Sequence, residues 1–362
     1  MDIEQTIEKL PASTIKKLLH DPEQTAKAVK LVYVSDCDKG ITRLKKGKSF
    51  VFVEGDEEIK DAEQLQRIKS LVLPPAWEKV WICRKHNGHL QATGFDVKNR
   101  KQYRYHPSWN ALRSQTKFFR MIQFGNILPS VRVQLNKDLS LPGLPLNKVL
   151  AAIVSLMELT HIRIGNSIYE KLYGSFGLTT LKDKHVQING ANVEFSFKGK
   201  KGVSHKISLK SKRLANIVLR CRDIPGKELF QFLDAEGKHH SIDSGMVNDY
   251  IGQISGEYFT AKDFRTWAGT VHAFTALKEI GFEETATATK KNIVAALDSV
   301  AKHLGNTRTV CKKYYVHPSI LTLYESKELE KYFNALEKEE APDSHYDLTK
   351  EEKIILKILR KH

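Results

Sequence analysis

The dominant spacing of apolar residues along this chain changes close to residue 108, and that change limits the folds open to it. In the first hundred residues, short runs of β-branched and aromatic residues alternate with turns that contain Gly-Asp and Asn-Gly. After the segment YHPSWN, apolar residues recur with the period of amphipathic helices. The sequence therefore predicts an α+β protein, with a small β-rich N-terminal lobe over residues 1–108 and a larger, mainly α lobe over residues 109–362.

The N-terminal lobe is predicted to contain several strands and one inserted helix. The runs LVYVSD, KSFVFVEGD and KVWICRKHNGHLQATGFD have the composition of strands. The segment DAEQLQRIKSLVL has helical spacing and is followed by Pro74 and Pro75. Because proline lacks an N–H and disfavours helix in the preceding residue, the inserted helix is expected to end before this pair.

The C-terminal lobe is predicted to be helical except for one β-hairpin. In HVQINGANVEFSFKGKKGVSHKISLK, two alternating runs are joined by the turn GKKG, which is typical of a hairpin. From Ser211 onward the apolar spacing is helical almost to the end. Thr349 and Glu352 precede the run KIILKIL with the spacing of a capping box, so a last helix should begin there.

The charge of the chain indicates a polyanionic partner. There are 58 Lys and Arg residues against 42 Asp and Glu, a formal charge of +16. Residues 321–362 hold ten acidic and eight basic side chains, so the excess lies entirely before them. Nucleic acid is the simplest partner, since its phosphates bind Lys and Arg with release of counterions. A role in solubility alone is the alternative.

The spacing of the cysteines and the lengths of the apolar runs indicate the cellular compartment of the protein. The four cysteines lie far apart, with no CxxC pair and no spacing that suits zinc or a disulfide framework. The first residues, MDIEQTIEKL, lack the apolar region of a signal peptide, and no run approaches the length that spans a bilayer. We expect a cytoplasmic, nucleoid-associated protein without a membrane segment.

Several cofactor motifs are missing from the sequence. The segment GKSF at Gly47 lacks the upstream glycine of a phosphate-binding loop, no HExxH occurs, and no glycine-rich turn joins a strand to a helix. These absences argue against ATP, zinc and dinucleotides. No acidic cluster suggests magnesium, although carboxylates distant in sequence could converge in space.

Two arginines are candidates for binding an anion. Arg163 lies in MELTHIRIGNSIY at the edge of a predicted helix face, where a half-buried guanidinium would bind an anion through two hydrogen bonds. A structural ion pair with Glu158 or Glu170 is equally compatible. Arg265 lies in AKDFRTWAGT, where a helix is expected to begin after Asp263, and helix N-termini favour phosphate. A surface arginine beside a capping Asp263 is the alternative.

A lysine at the predicted hairpin tip is a candidate proton donor. Lys200 lies in FSFKGKKGVSHKI among Lys198, Lys201 and Lys206. Most lysines at such tips are simply solvated. A mobile hairpin could nevertheless place a lysine in a groove, where neighbouring cations lower its pKa and suit it for general acid catalysis.

Two adjacent tyrosines are candidate nucleophiles. Tyr314 and Tyr315 follow Gly305, which should end one helix, and precede Pro318, so they are expected on the last turn of a short helix. A phenol has an ordinary pKa of about 10 and attacks only where cations stabilise the developing charge. Packing in the core is the alternative for both.

Taken together and in order, the segments HIRIGN, FKGKKGVSH, KDFRTWAG and GNTRTVCKKYYVHP resemble the catalytic residues of type IB DNA topoisomerases, in the poxvirus-like branch found in bacteria. The segments GITRLKKGKSFVF, LPPAWEKVWI and GHLQATGFDVKNRKQYRYHPSW resemble the N-terminal lobe of that family. The resemblance thus covers nearly the whole chain. It implies the catalytic fold shared by tyrosine recombinases and type IB topoisomerases.

The resemblance implies a role for each of five residues. Arg163 and Arg265 match the arginines that bind the nonbridging oxygens of the scissile phosphate. Lys200 matches the general acid that protonates the leaving 5′ oxygen, and Tyr315, followed by Val-His-Pro, matches the nucleophile. Asn306 stands where the poxvirus enzymes have histidine, and its amide can still donate a hydrogen bond to a phosphoryl oxygen.

The resemblance also implies a partner, a reaction and a set of DNA contacts. A monomer would close around duplex DNA, cut one strand through a 3′-phosphotyrosyl intermediate, allow rotation that removes supercoils of either sign, and reseal it without ATP, metal or any other cofactor. Alternatives are a tyrosine recombinase, although the HxxR box is absent, and a non-catalytic basic DNA-binding protein. The predicted DNA contacts are Tyr103, Arg104, Tyr105, Tyr169, Lys198 and Lys201.

Overall fold

The computed structural model describes residues 21–47, 49–97, 99–234, 236–257 and 259–362. Its compact units are Met1–Phe119 and Arg120–His362, and the division falls within one helix. The sequence placed a domain boundary between residues 108 and 109, and that position stays a prediction. The α+β fold class is confirmed, with strands concentrated in the first unit and helices in the second.

An antiparallel sheet forms the first unit, with strand order β3-β2-β1-β4-β5-β6. The helices of this region are α1 (Pro22–Ala28) and α2 (Ala62–Ser70), followed by the start of α3 (Pro107–Leu139). A buried cluster of Ile41, Ile68, Val80, Ile82 and Ala92 packs α2 against the sheet. The strands are β1 (Ile41–Lys46), β2 (Ser49–Glu54), β3 (Glu57–Glu58), β4 (Glu78–Ile82), β5 (Leu90–Phe95) and β6 (Lys101–Tyr105).

The inserted helix is confirmed, and one predicted strand is wrong. Asp61 caps α2 by accepting a hydrogen bond from the backbone N–H of Gln64 at 2.7 Å, and the helix ends before Pro74 as expected. The run LVYVSD forms only an isolated bridge between Val32 and Gly88 rather than a strand. Its alternating pattern is real, but backbone pairing depends on a neighbour that a local pattern cannot specify.

Helices dominate the second unit, which also contains a three-stranded sheet. This sheet has the order β7-β8-β9, and the last two strands form the predicted hairpin. The strands are β7 (Val186–Asn189), β8 (Asn192–Lys198), β9 (Ser204–Lys210), β10 (Gln231–Leu233) and β11 (His239–Ser241). The helices are α4 (Leu146–Thr160), α5 (Ser167–Tyr173), α6 (Lys212–Arg222), α7 (Ser244–Ser255), α8 (Ala261–Ile280), α9 (Ala286–Leu304), α10 (Arg308–Tyr314), α11 (Pro318–Glu325), α12 (Glu330–Lys338) and α13 (Lys350–Lys361).

Two parts of the predicted helical pattern are corrected by the structure. Strands β10 and β11 pair as a small hairpin within a region predicted to be helical, and each has too few residues to show a period. The helix predicted to run through Arg163 ends at Thr160, because His161 adopts a left-handed conformation with φ of 55°. Such a residue ends a helix by turning the chain away from its axis.

The core of the second unit is built around α4 and α8. Almost every position from Lys148 to Met157 is buried, which matches the apolar character of α4 on all sides. Helix α8 packs against α4, α9 and α13. None of the helices in the described ranges combines the length and apolar character needed to cross a bilayer.

A buried ion-pair network attaches the last helix to this core. The predicted capping box is confirmed: Thr349 and Glu352 bond each other's backbone N–H groups at 3.2 and 2.9 Å. Glu352, only 6% exposed, also accepts hydrogen bonds from Arg132 at 2.9 and 3.0 Å and from the indole N–H of Trp267 at 2.9 Å. Since Trp267 belongs to α8, this carboxylate ties α13 to the helix that carries Arg265.

We predict that Glu352→Ala destabilises the protein by about 3 kcal/mol, because it removes one of the two carboxylates that pair with the buried Arg132 guanidinium and leaves the Trp267 indole N–H without an acceptor. Chemical denaturation followed by circular dichroism measures the change in unfolding free energy. Glu325→Ala, which removes an exposed carboxylate at the end of α11, is the control and should change stability by less than about 0.5 kcal/mol. A loss equal to that of the control would contradict the bracing role of Glu352.

Candidate active site

Four of the residues singled out from the sequence come together in the second unit, each from a different element. Arg163 lies in the loop after α4, Arg265 in α8, Asn306 between α9 and α10, and Tyr315 directly after α10. Their mutual contacts define the candidate site. Each side chain is positioned by a helix end or by the helix that packs beneath it.

Arg163 bonds to the loop that carries Asn306. Its Nη2 donates to Asn306 Oδ1 at 2.7 Å and to the carbonyl oxygen of Gly305 at 3.0 Å. Burial, reinforced by the charge of Arg265, lowers the pKa of Arg163 to about 10. The guanidinium is still charged at neutral pH, and the neutral acceptors leave that charge uncompensated.

The structural ion pairs considered for Arg163 are not formed. Glu158 instead pairs with Arg132 at 2.7 Å, and Glu170 pairs with Lys182 at 2.6 Å. Both carboxylates are therefore engaged elsewhere. The anion-binding interpretation is the one that the geometry favours.

Arg265 is buried rather than placed at the surface. It is 4% exposed, and its Nη2 donates to the carbonyl oxygen of Leu304 at 2.7 Å while Nη1 donates to that of His161. Its Nε has no partner among the described residues. Burial lowers the pKa of Arg265, and the Tyr315 phenol opposes that shift.

The helix that carries Arg265 begins earlier than predicted. Its first residue is Ala261 and its cap is Thr260, so a start after Asp263 is wrong. Asp263 is the N3 residue of a capping box and accepts from the backbone N–H of Thr260 at 2.8 Å. Arg265 therefore lies past the first turn, and buried hydrogen bonds rather than the free N–H groups of the helix end position it.

Asn306 presents a buried donor to the site. Because Oδ1 accepts from Arg163, the amide nitrogen Nδ2 is directed elsewhere, and it is buried with no partner in the described part of the chain. Gly305 ends α9 in a left-handed conformation with φ of 57°, which turns the chain so that Asn306 follows at this point. A buried N–H without an acceptor is costly, and an anionic oxygen would satisfy it.

Tyr315 and Tyr314 occupy different environments. The Tyr315 ring lies beside Arg265, with 5.3 Å from the guanidinium carbon to the ring centroid. Its carbonyl oxygen packs against Gly269, where an added Cβ would come within 2.6 Å of it. Tyr314 is 41% exposed, with the Lys313 ammonium 5.3 Å from its ring centroid. Core packing therefore does not explain Tyr314, and Tyr315 is the phenol next to the buried cation.

Lys200 lies at the tip of the β8–β9 hairpin. It begins a short 3-10 turn, Lys200–Gly202, and its side chain is exposed. The ammonium lies 5.9 Å from the ring centroid of Tyr169, which is 38% exposed and was predicted to contact DNA. Lys198 is also exposed, at the end of β8. The side chain of Lys201 lies outside the described residues.

The aromatic residues predicted to contact DNA in the first unit share one face of β6. The rings of Tyr103 and Tyr105 stack with centroids 5.9 Å apart and planes 8° apart. Arg104 points to the other face, where its Nε donates to the carbonyl oxygen of Leu71 at 2.8 Å. The structure thus separates the tyrosines from the arginine of the predicted KQYRYHP segment.

Sequence reasoning missed two residues next to the site. Cys311 is buried one turn before Tyr315, and burial raises its pKa to about 11 against the opposing charges of Arg265 and Arg163, so its thiol is neutral. The His205 ring packs against Gly199 and Gly305. Alternation along β9 shows that His205 shares the face of Ile207, but no local pattern indicates that this face meets the Asn306 loop.

The site combines the elements needed to bind a phosphate diester and to attack it. Two guanidinium groups and the Asn306 Nδ2, which has no partner in the described residues, can bind phosphoryl oxygens. The Tyr315 phenol lies beside the guanidinium of Arg265. Within the described residues, no group of three or more His, Cys, Asp or Glu side chains is arranged to hold a metal ion.

Comparison with known proteins agrees with this arrangement. Residues 106–340 match the family model described as eukaryotic DNA topoisomerase I, catalytic core, and residues 49–96 match that of the bacterial DNA topoisomerase IB N-terminal domain. The first match covers most of the second unit, including Arg163, Arg265, Asn306 and Tyr315. These matches do not favour the recombinase or the non-catalytic alternative.

Individual viral proteins are similar over most of the chain. The DNA topoisomerase 1B of Acanthamoeba polyphaga mimivirus is 31% identical over 301 residues, which is 80% of this chain and 88% of that protein. The DNA topoisomerase 1B of vaccinia virus (strain Copenhagen) is 27% identical over 240 residues, 65% of this chain and 72% of the viral one. These matches, together with the geometry of the site, show that the chain belongs to the type IB DNA topoisomerase family.

Proposed function

We propose that the protein relaxes supercoiled duplex DNA by cutting and resealing one strand, with Tyr315 as the nucleophile. The observation that carries this proposal is the position of the Tyr315 ring beside a buried, charged Arg265 whose Nε has no partner in the described residues. Family membership supports the same activity. The relaxation of positive and negative supercoils follows because rotation about the uncut strand is driven by whichever torsion the DNA carries.

The cleavage step transfers one phosphoryl group. The Tyr315 phenol releases its proton to water as its oxygen attacks the phosphorus, the bond from phosphorus to the 5′ oxygen breaks, and a 3′-phosphotyrosyl diester remains. The leaving 5′ oxygen takes a proton from Lys200. Resealing is the reverse reaction, in which the 5′ hydroxyl attacks the phosphotyrosine and returns its proton to the Lys200 amine, while the leaving Tyr315 oxygen takes a proton from water. Because a diester replaces a diester, neither step needs ATP.

The charge of the site explains why such a transfer is possible without a metal. Arg163 and Arg265 would neutralise the negative charge on the nonbridging oxygens of the phosphate. The Asn306 Nδ2, which has no acceptor in the described residues, would donate a hydrogen bond to one of these oxygens. The donors are already fixed by hydrogen bonds to Leu304, Gly305 and Asn306. Little reorganisation is therefore needed when the transition state forms.

The remaining basic surface is proposed to bind the DNA duplex. Residues 1–320 carry a formal charge of +18 and residues 321–362 one of −2, so both units would contribute cations to the phosphate backbone. Tyr103, Arg104 and Tyr105 are proposed DNA contacts in the first unit, as are Tyr169, Lys198 and Lys201 in the second. The protein would act as a monomer, since one chain carries all five proposed catalytic residues. It would be associated with the nucleoid, where its proposed duplex DNA substrate lies.

We predict that the native protein relaxes negatively supercoiled plasmid in EDTA without ATP and that Tyr315→Phe does not, because only the phenol can form the covalent intermediate. Agarose gel electrophoresis measures relaxation, and denaturing gels detect the protein–DNA adduct. Tyr314→Phe is the matched control and should retain activity. Activity in Tyr315→Phe, or its loss in Tyr314→Phe alone, would contradict the assignment of Tyr315.

We predict that Asn306→Asp slows cleavage by at least about 100-fold, because the change removes the Nδ2 donor and places a carboxylate against Arg163. The added ion pair should leave thermal stability unchanged or higher. Single-turnover cleavage and thermal denaturation measure the two effects. Cleavage at the native rate would show that the buried amide does not bind the phosphate.

We predict that Lys200→Ala slows cleavage of an ordinary diester by about 100-fold or more, the usual contribution of a general acid. The loss should be much smaller on a substrate whose 5′ bridging oxygen is replaced by sulfur, since a thiolate leaves without protonation. Rates on the two substrates under single-turnover conditions make the comparison. Equal losses on both would assign Lys200 to DNA binding instead.

A further inference from the structure

His205 lies between the two segments that carry the proposed proton donor and the proposed phosphate-binding amide. Gly199 directly precedes Lys200, and a Cβ added to it would lie 2.6 Å from both Nε2 and Cδ2 of His205. Gly305 directly precedes Asn306, and a Cβ there would overlap Cε1 of the same ring. One imidazole thus packs against the residue before each of the two functional side chains.

The glycine at position 199 is explained by this contact rather than by backbone conformation. Its φ of −90° and ψ of −163° are open to any residue. Its N–H donates to the carbonyl oxygen of Val203 at 2.7 Å, and its carbonyl oxygen accepts from Gly202 at 3.0 Å, so it closes the turn that displays Lys200. A side chain at position 199 would have no room, because the His205 ring occupies the place where its Cβ would lie.

The ring itself is held from the hairpin side. Phe197 and His205 are paired residues on β8 and β9, and their rings stack with centroids 5.1 Å apart and planes 20° apart. Phe197 is 7% exposed and belongs to the core. The imidazole therefore packs on a buried residue of the sheet and extends from it toward the Gly305 turn.

The charge state of His205 suits a packing role. Burial, together with the charges of Arg163 and Arg265, lowers its pKa below the ordinary value, so the ring is neutral at pH 7. A neutral ring adds no repulsion beside two guanidinium groups. It also leaves the positive charge of the site to the arginines that would bind the phosphate.

We propose that His205 is a positioning residue that holds the Lys200 turn against the Gly305–Asn306 segment during strand cleavage. The inference rests on the proposed function, in which Lys200 is the general acid. Without the ring, Phe197 would lose its partner and the turn would lose its contact with Gly305. Displacement of a catalytic group by about 1 Å can reduce a rate by about 100-fold. The exposed tip of the hairpin makes Lys200 the group that would be displaced most easily.

The test is single-turnover cleavage of two substrates by His205→Ala, one an ordinary diester and one with sulfur at the 5′ bridging position. We expect a loss of about 30-fold on the diester and less than about 3-fold on the sulfur substrate, because only the first needs a positioned acid. His239→Ala, which removes an exposed histidine from β11, is the matched control and should cleave both at the native rate. Equal losses on both substrates, or no loss on either, would overturn the proposal.

A second variant tests the contact without removing the histidine. In Gly199→Ala the added Cβ must displace the His205 ring, and the backbone conformation tolerates alanine, so the same selective loss on the diester is expected. In the double variant Gly199→Ala with His205→Ala, that overlap is gone, and cleavage should be no slower than in His205→Ala alone. A double variant whose loss of cleavage rate equals the product of the two single losses would overturn the shared mechanism.

These measurements also separate failure of this inference from failure of the proposed function. A native protein that cleaves neither substrate would overturn the proposed function, and this inference with it. A native protein that forms the Tyr315 adduct while His205→Ala slows both substrates alike would overturn the positioning role alone.

Discussion

Two guanidinium groups of the second unit, that of the buried Arg265 and that of the half-buried Arg163, donate hydrogen bonds to neutral oxygens, and the arrangement of this unit must supply those acceptors. Arg265 donates to the carbonyls of His161 and Leu304, and Arg163 donates to Gly305 and Asn306. These acceptors lie at the ends of α4 and α9, where carbonyl groups have no partner within the helix. The helix ends must therefore meet at one point, which the packing of α8 against both helices provides.

The contrast with Arg132 shows why neutral acceptors matter. Arg132 is bonded to two carboxylates, Glu158 and Glu352, and its charge is cancelled where it braces α13. Arg163 and Arg265 receive enough hydrogen bonds to be buried, but no compensating charge from those acceptors. The free protein thus carries an uncompensated positive potential beside the Tyr315 phenol. A phosphate diester would supply the missing negative charge, which is the preorganisation that phosphoryl transfer needs.

Much of the fold could be predicted from local patterns, whereas the roles expected of the site residues came from the resemblance of four segments to type IB DNA topoisomerases. Periodicity located the helices, the GKKG turn located the hairpin, and Thr349 with Glu352 located the last cap. The errors have two causes. The run LVYVSD and the pair β10 and β11 depend on neighbours distant in sequence, which a local pattern does not contain. The contact of His205 with Gly199 and Gly305 escaped prediction for the same reason. The start of α8 at Ala261 is set by the local capping box of Thr260 and Asp263, in which Asp263 is the N3 residue rather than the cap.

The fold class and the basic charge follow from the amino-acid sequence alone, because each is a property of composition or of spacing along the chain, and the roles expected of the site residues follow from the resemblance of its motifs to a family. The tertiary structure distinguishes between the alternatives left open for Arg163, Arg265 and Tyr314. It pairs Glu158 and Glu170 with other cations, buries Arg265, and places the ring of Tyr315 rather than that of Tyr314 beside it. Burial and the choice of partner are set by elements far apart in the chain, and they distinguish an arginine bonded to neutral oxygens, such as Arg265, from one paired with carboxylates, such as Arg132.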